Sequence, residues 1–98
     1  MRRQDAISLL SLQADNLKAR GATAAFLFGS TARDEATRDS DIDLFIDIEP
    51  GRKFSLLDLA GIKRLLSEKL GVDIDVTTRA SLHPKLRQEI ERGALQIY

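Results

Sequence analysis

The amino-acid sequence predicts an α/β fold in which a small sheet and a set of helices pack as two layers. Three observations support this class. Apolar residues recur at helical spacing in several segments, short apolar or alternating runs lie between those segments, and glycine or proline follows most of them. With 98 residues, of which 43% are hydrophobic, the chain is long enough for one core. We therefore expect a single domain over residues 1–98.

The first predicted elements are a helix, a strand and a short helix. The residues that recur at helical spacing in the first segment are Ile7, Leu10 and Leu17. They predict one helix that ends at Gly21, where a left-handed residue is typical. Residues 24–28 form an apolar run that predicts a buried strand. Residues 31–36 then predict a short helix with Ser30 as its cap.

Strict alternation predicts a second strand over residues 41–48. One face of it carries Ile42, Leu44, Ile46 and Ile48, and the other carries Asp41, Asp43, Phe45 and Asp47. Ser55 and Asp58 have the spacing of a capping box and predict the start of a helix. The apolar residues of this helix are Leu56, Leu59, Ile62, Leu66 and Leu70. We expect Gly71 to end it.

A third strand, a last helix and a short edge strand complete the predicted order. Residues 72–77 alternate between apolar side chains and Asp73, Asp75 and Thr77. Pro84 fits the first turn of a helix that extends to Gly93. We expect Leu86 and Ile90 of this helix to face the core. Residues 95–98 predict a short strand at the edge of the sheet.

The composition excludes several kinds of site and of protein. The 15 Lys and Arg residues balance 15 Asp and Glu residues, so no broad positive field indicates nucleic acid as a direct substrate. Cysteine is absent, which excludes disulfides, thiol catalysis and cysteine-ligated zinc. No apolar stretch has the length of a membrane span, and the first residues lack a signal-like apolar run. We expect a cytoplasmic protein.

Aspartates occur in pairs on two predicted strands. Side chains two residues apart on a strand point to the same face, so Asp41 and Asp43 form one pair and Asp73 and Asp75 form another. The simplest explanation is solubility, because charged side chains usually occupy solvent faces. Aspartate is nevertheless disfavoured in strands. Two adjacent carboxylates also repel each other unless a cation neutralises them.

Oxygen ligands of this kind suit Mg²⁺ or Mn²⁺. Two such ions about 3.5–4 Å apart stabilise the attacking and the leaving oxygen of a phosphoryl displacement. Gly29 and Ser30 follow an apolar strand, so backbone N–H groups and the Ser30 hydroxyl could hold phosphate oxygens. A Gly-Ser pair is more often a plain turn, and neither a Walker A motif nor GxGxxG is present. The prediction of phosphate binding therefore depends on the Gly-Ser pair occurring together with the aspartate pairs.

Two arginines, the histidine and the tyrosine are further candidates for functional roles. Arg33 and Arg38 lie between the Gly-Ser pair and the aspartates and could neutralise a triphosphate, although Arg38 fits an ordinary surface position better. His83, the single histidine, precedes Pro84 and fits a helix cap or a surface position better than a general base. We expect Tyr98 to be a packing residue.

Residues 29–44, GSTARDEATRDSDIDL, resemble the pattern GSxARGxAxxxSDIDL. This pattern is typical of the minimal nucleotidyltransferase branch of the DNA polymerase beta-like nucleotidyltransferase superfamily, which includes MntA-type antitoxins. Residues 72–98, VDIDVTTRASLHPKLRQEIERGALQIY, are similar to the VDLVT segment and the closing helix and strand of that branch. The resemblance covers nearly the whole chain. It implies a two-layer nucleotidyltransferase fold, with a small mixed sheet and about four helices.

The resemblance also implies roles for individual residues. It implies that Asp41 and Asp43 bind two Mg²⁺ ions and that Asp75, rather than Asp73, is the third catalytic and metal-binding aspartate, which helps to activate the attacking hydroxyl. Gly29 and Ser30 would hold the triphosphate of ATP, with Arg33 as a further nucleotide-binding residue. The chain departs from the pattern at Asp34, where the family has glycine.

Members of this branch act with a HEPN-type ribonuclease toxin as partner and transfer AMP from ATP to a tyrosine of that toxin. The resemblance therefore implies a protein adenylyltransferase that is the antitoxin of a toxin–antitoxin pair. Two alternatives remain open. One is a binding antitoxin that neutralises the toxin by contact without turnover, and the other, less favoured, is an RNA 3′-end transferase.

Overall fold

The computed structural model describes residues 1–35 and 42–98. The helices in these ranges are α1 (Arg3–Ser11), α2 (Ala14–Ala19), α3 (Gly29–Ala32), α4 (Leu56–Leu70) and α5 (Pro84–Gly93). The strands are β1 (Ala22–Phe28), β2 (Ile42–Ile48), β3 (Ile74–Thr78) and β4 (Leu95–Gln96), and a 3₁₀ turn spans Arg79–Ser81. The predicted α/β class is confirmed.

The four strands form one mixed sheet in the order β3-β2-β1-β4. Strand β1 is antiparallel to β2 and to β4, whereas β2 and β3 are parallel. Parallel neighbours require a crossover connection, and α4 is that connection. None of the helices in the described ranges combines the length and apolar character that crossing a membrane requires.

One face of the sheet forms the core with the helices. Its buried residues include Leu27 on β1, Leu44 and Ile46 on β2, and Val76 on β3. The helices contribute Leu10, Leu17, Ile62 and Leu66 to the same cluster. The opposite face carries Asp43, Phe45 and Asp47 of β2, because side chains alternate along a strand.

The first helix is not continuous, contrary to the prediction. The Gln13 N–H donates to the Leu10 carbonyl at 3.0 Å, three residues back, so the chain tightens into a turn between α1 and α2. Leu12 lies in this turn and its side chain is 75% exposed. Gly21 has a φ of +100°, which confirms the predicted left-handed residue after this helical region.

Two predictions about side-chain placement were wrong. Ser30 is not a helix cap, because α3 begins at Gly29 and Phe28 occupies the cap position. Residue 36, the predicted end of that helix, lies outside the described ranges. Leu86 does not face the core and is 51% exposed, while Ile90, one turn further along α5, is half-buried. Helical periodicity identifies the residues that form the apolar stripe of α5, but it does not show whether the core covers them.

His83 and Tyr98 have the structural roles expected of them. His83 is the cap of α5, and its Nδ1 accepts a hydrogen bond from the Lys85 N–H at 3.2 Å. Tyr98 packs against the core and its hydroxyl donates to the Ala22 carbonyl at 2.9 Å. Burial raises the pKa of Tyr98 to about 12.

The start of α4 is a complete capping box, as predicted. The Asp58 N–H donates to Ser55 Oγ at 3.2 Å, and the Ser55 N–H donates to the Asp58 carboxylate at 2.8 Å. At the other end of the helix Gly71 has a φ of +71° and forms the left-handed cap. The sequence signals at both ends of α4 are therefore confirmed.

We expect Ser55→Ala to lower the free energy of unfolding by about 1 kcal/mol at neutral pH, because it removes the hydroxyl that caps α4. Chemical denaturation monitored by circular dichroism measures this change. Ser8→Ala is the matched control, since Ser8 is exposed within α1. Equal stability of the two variants would contradict a stabilising role for the cap.

The capping interaction also carries a pH dependence. The hydrogen bonds from Ser55 lower the pKa of Asp58 below its ordinary value of 3.8. A carboxylate with a lowered pKa stabilises the folded state above its unfolded pKa, and this contribution is lost as pH falls through the folded pKa. Ser55→Ala keeps the hydrogen bond from the backbone N–H and removes only the one from the hydroxyl. The stability difference between the native protein and this variant is therefore expected to shrink in acid by the share of the hydroxyl alone.

Candidate functional site

The register of the sheet brings two of the predicted aspartates together. Strands β2 and β3 are parallel neighbours, and Asp43 of β2 is aligned with Asp75 of β3. Adjacent strands are about 4.8 Å apart, and aligned side chains share a face, so the two carboxylates lie side by side. Asp43 is half-buried and Asp75 is exposed. Asp41 lies outside the described residues.

The register also separates Asp75 from Asp73. Asp73 precedes β3, and its carbonyl accepts a hydrogen bond from the Ile42 N–H at 3.2 Å. Asp75 is the residue of β3 that stands directly opposite Asp43. The geometry therefore favours Asp75 as the partner of Asp43 in a shared site.

Gly29 lies against the carboxylate of Asp43. Phe28, the last residue of β1, pairs with Asp43 across the antiparallel ladder, so the chain leaves β1 next to this side chain. Gly29 has a φ of +75°, and a Cβ atom built on it would collide with Asp43 Oδ2 and lie 3.3 Å from Asp43 Cγ. This position therefore requires glycine for its conformation and for the space beside Asp43.

Ser30 and Arg33 follow Gly29 at the same edge of the sheet. Ser30 lies inside α3 and is half-buried. Arg33 follows the last residue of α3, and its side chain is 60% exposed, with Nε 3.1 Å from the Glu35 carboxylate. Of the predicted nucleotide-binding residues, Gly29 lies against Asp43, and Ser30 and Arg33 follow it in the chain. Arg38 lies outside the described residues.

Asp34 adopts a backbone conformation that glycine would take more readily. Its φ is +59°, and it is the only residue other than glycine with a positive φ among those described. Aspartate tolerates this region better than most residues do. The family pattern has glycine at this position, which is consistent with a turn of this conformation. Asp34 preserves that turn.

Two cavities flank the aspartate pair. The first, called the α5 cavity, has a volume of about 480 Å³ and lies between the end of β1 and α5. Its lining comprises Phe28, Gly29, Arg33, Leu86, Glu89, Ile90, Arg92 and Gly93. The second, called the β3 cavity, has a volume of about 440 Å³ and is lined by Lys63, Asp73, Ile74 and Asp75. Asp43 lies between them in the sheet.

Arg79 is a charged residue of this face that no sequence pattern indicates. Its guanidinium lies over the rings of Phe26 and Phe45, at 4.7 and 5.0 Å from their centroids. It donates to both carboxylate oxygens of Asp47, at 2.7 and 3.1 Å, and to Glu91 of α5 at 2.9 Å. The hydrogen bonds with Asp47 raise the pKa of Arg79. Arg79 thus ties α5 to the sheet.

We expect Arg79→Ala to lower the free energy of unfolding by about 2 kcal/mol, because it removes charge-assisted hydrogen bonds and two ring contacts from a side chain that is only 26% exposed. Thermal or urea denaturation measures the change. Arg64→Ala is the control, since the Arg64–Glu68 pair is on the surface and Arg64 is 82% exposed. A loss no larger than that of the control would contradict this role for Arg79.

The donor set of the site suits a hard cation. Within residues 1–35 and 42–98, no group of three or more His, Cys, Asp or Glu side chains is placed to hold a metal ion. Asp43 and Asp75 are nevertheless aligned, and both offer carboxylate oxygens, which Mg²⁺ prefers. These two residues therefore fit a magnesium site to which a further carboxylate and substrate phosphates would contribute.

Comparison with known proteins identifies relatives over most of the chain. The model of the nucleotidyltransferase domain family matches residues 10–97. A Methanocaldococcus jannaschii protein, provisionally named a protein adenylyltransferase, is 42% identical over 77 residues, which are 79% of this chain and 81% of that protein. The protein adenylyltransferase MntA of Thermococcus cleftensis is 30% identical over 91 residues, 92% of this chain and 90% of MntA.

Solved structures share the fold. A protein provisionally assigned as a minimal nucleotidyltransferase superposes with a TM-score of 0.76 at 37% identity, covering 97% of this chain and 95% of that one. A chain in the complex of a tri-AMPylated Shewanella oneidensis HEPN toxin with its MNT antitoxin gives a TM-score of 0.67 at 18% identity, covering 94% and 71%. The second likeness shows the fold alone.

Proposed function

Because the chain belongs to the nucleotidyltransferase domain family, we propose that it transfers AMP from ATP to a hydroxyl group of a partner protein. The observation that carries the proposal is the alignment of Asp43 with Asp75, with Gly29 packed directly against the Asp43 carboxylate. The family match supports nucleotidyl transfer, and the names of two relatives support a protein as the acceptor.

In the proposed reaction the acceptor hydroxyl attacks the α-phosphorus of ATP. A bond forms between the acceptor oxygen and the α-phosphorus, the bond from that phosphorus to the bridging oxygen breaks, and pyrophosphate leaves with the bonding electrons. The carboxylate of Asp75 accepts the hydroxyl proton or helps to polarise the O–H bond. Its exposed position on β3 makes it accessible to an acceptor from outside.

The other predicted residues bind and orient the nucleotide. Asp41, Asp43 and Asp75 would hold Mg²⁺, which when bound supplies positive charge to stabilise the attacking and leaving oxygens. Backbone N–H groups at Gly29 and Ser30, with the Ser30 hydroxyl, would donate to the triphosphate. Arg33, at the edge of the same site, would offset part of its negative charge. Mn²⁺ could replace Mg²⁺ at such oxygen ligands.

We further propose that the acceptor is a tyrosine of a HEPN-type toxin and that the chain is its antitoxin. Adding AMP to a tyrosine attaches a bulky anionic group to the toxin, which can block a site by charge and by volume. The structural likeness to the complex of an AMPylated HEPN toxin with its antitoxin is consistent with such a pair. Sequence similarity to MntA supports the adenylyltransferase role independently.

The test is label transfer. The protein is incubated with Mg²⁺, a HEPN-type toxin as the acceptor and ATP labelled at the α-phosphate or, separately, at the γ-phosphate. We expect α-label but no γ-label on the toxin, and mass spectrometry would locate the modified tyrosine. A stable complex that neutralises the toxin without any transfer would instead identify a binding antitoxin and overturn the catalytic proposal.

A further inference from the structure

The α5 cavity reaches Gly29, which lies against the Asp43 carboxylate, and its lining combines apolar and charged residues. Phe28, Leu86 and Ile90 give it apolar walls, and Gly29, Gly93 and the charged residues Arg33, Glu89 and Arg92 complete its lining. Its volume of about 480 Å³ is within the range of small-molecule sites. Leu86 is 51% exposed because it faces this cavity rather than the core. Apolar walls beside the guanidinium groups of Arg33 and Arg92 suit a ligand with one apolar and one anionic end.

The two sides of Asp43 belong to different cavities. Asp75 is its neighbour on β3 and lines the β3 cavity, while Phe28 is its neighbour on β1 and lines the α5 cavity. Under the proposed function the acceptor hydroxyl approaches Asp75, so the acceptor occupies the β3 side. Gly29 and Arg33, which are proposed to contact the triphosphate, line the α5 cavity. The nucleotide therefore has its binding groups on the β1 side.

We infer that the α5 cavity holds the purine base of ATP, with Leu86 and Ile90 of α5 against the face of the ring. The inference rests on the proposed function and extends it to the part of the substrate that does not react. A base contributes a flat apolar face to such walls and edge groups that form hydrogen bonds. Glu89 and Arg92 supply an acceptor and a donor at the rim for those edge groups and for the ribose.

This assignment gives α5 a function beyond packing. Arg79 connects the helix to β2 through Asp47 and Glu91, so the apolar wall is held at a fixed distance from the aspartate pair. A base seated against that wall would orient the α-phosphorus near Asp43. Contacts remote from the reacting atoms can improve a reaction in this way, by positioning.

The experiment compares two ligands on matched variants. Calorimetry in the presence of Mg²⁺ measures the dissociation constants of ATP and of inorganic tripolyphosphate, which lacks the base and ribose. Leu86→Ala and Leu86→Asn alter the proposed wall, and Leu57→Ala is the control, because Leu57 is an exposed leucine in the first turn of α4. The surface position of Leu86 makes both substitutions compatible with folding, and thermal denaturation confirms that.

We expect both Leu86 variants to bind ATP roughly tenfold more weakly and to bind tripolyphosphate as the native protein does. If the native protein binds ATP and both Leu86 variants bind it equally well, the base site is overturned and the proposed function is left intact. A raised KM for the toxin with unchanged ATP binding would assign the cavity to the acceptor and also overturn it. A native protein that binds neither ligand would overturn the proposed function, and the base site with it.

Discussion

Gly29→Ala is expected to reduce nucleotidyl transfer roughly a hundredfold and to lower the free energy of unfolding by about 1–2 kcal/mol. The loss of stability follows from the φ of +75°, a conformation in which an L-residue with a Cβ is strained. The loss of activity follows from the position of that Cβ, which would collide with the Asp43 carboxylate and displace it. A misplacement of about 1 Å in a catalytic group can cost this much.

The chain contains glycines that separate the two effects. Gly71 and Gly51 have φ values of +71° and +80°, but a Cβ at either position would meet no atom within 4 Å. Gly71→Ala and Gly51→Ala therefore reproduce the backbone strain without touching the site. We expect them to lower stability by a similar amount and to retain activity in the label-transfer assay at a temperature where all variants are folded. Equal activity of Gly29→Ala and Gly71→Ala would contradict the role of Gly29.

Sequence periodicity predicted the elements whose signals are local. The Ser55–Asp58 spacing and Gly71 predicted both ends of α4 because caps depend on residues within one turn. The alternation over residues 41–48 predicted β2, whose observed bounds are Ile42–Ile48. It did not predict that Phe45, on the face opposite the core, is also buried. Phe45 is covered by Phe26 and Arg79, which come from distant segments.

Sequence patterns alone could not predict the assembly of the site. The aspartate pairs were visible in the sequence, but whether they meet depends on which strands are neighbours and in what direction. The parallel pairing of β2 with β3 answers this, because it aligns Asp43 with Asp75. The role of Arg79 is not predictable for the same reason, since its partners Asp47 and Glu91 lie on two other elements. Residues that meet across distant elements have no fixed spacing in the sequence.

Asp43→Asn is expected to have the largest effect on activity. The substitution keeps the size of the side chain but removes the negative charge that would bind Mg²⁺. The carboxylate of Asp75 alone does not replace that charge. Loss of a residue that hydrogen-bonds to a metal ligand lowers metal affinity or activity about 10–100-fold. For a direct ligand we therefore expect more than a hundredfold loss of α-label transfer. Thermal denaturation with and without ATP and Mg²⁺ gives a second readout, because ligand binding stabilises the folded state.

Comparison of Asp75→Asn with Asp73→Asn distinguishes a site-specific effect from a general loss of negative charge on this face. Both residues are exposed and both line the β3 cavity, but only Asp75 stands opposite Asp43 in the parallel ladder. We expect Asp75→Asn to abolish most transfer while leaving toxin binding unchanged, and Asp73→Asn to alter the rate by less than about threefold, as an exposed charge in water does. If Asp73→Asn were the more damaging variant, the third metal-binding carboxylate would be the residue that precedes β3. The alignment of Asp43 with Asp75 would then not describe the reacting arrangement.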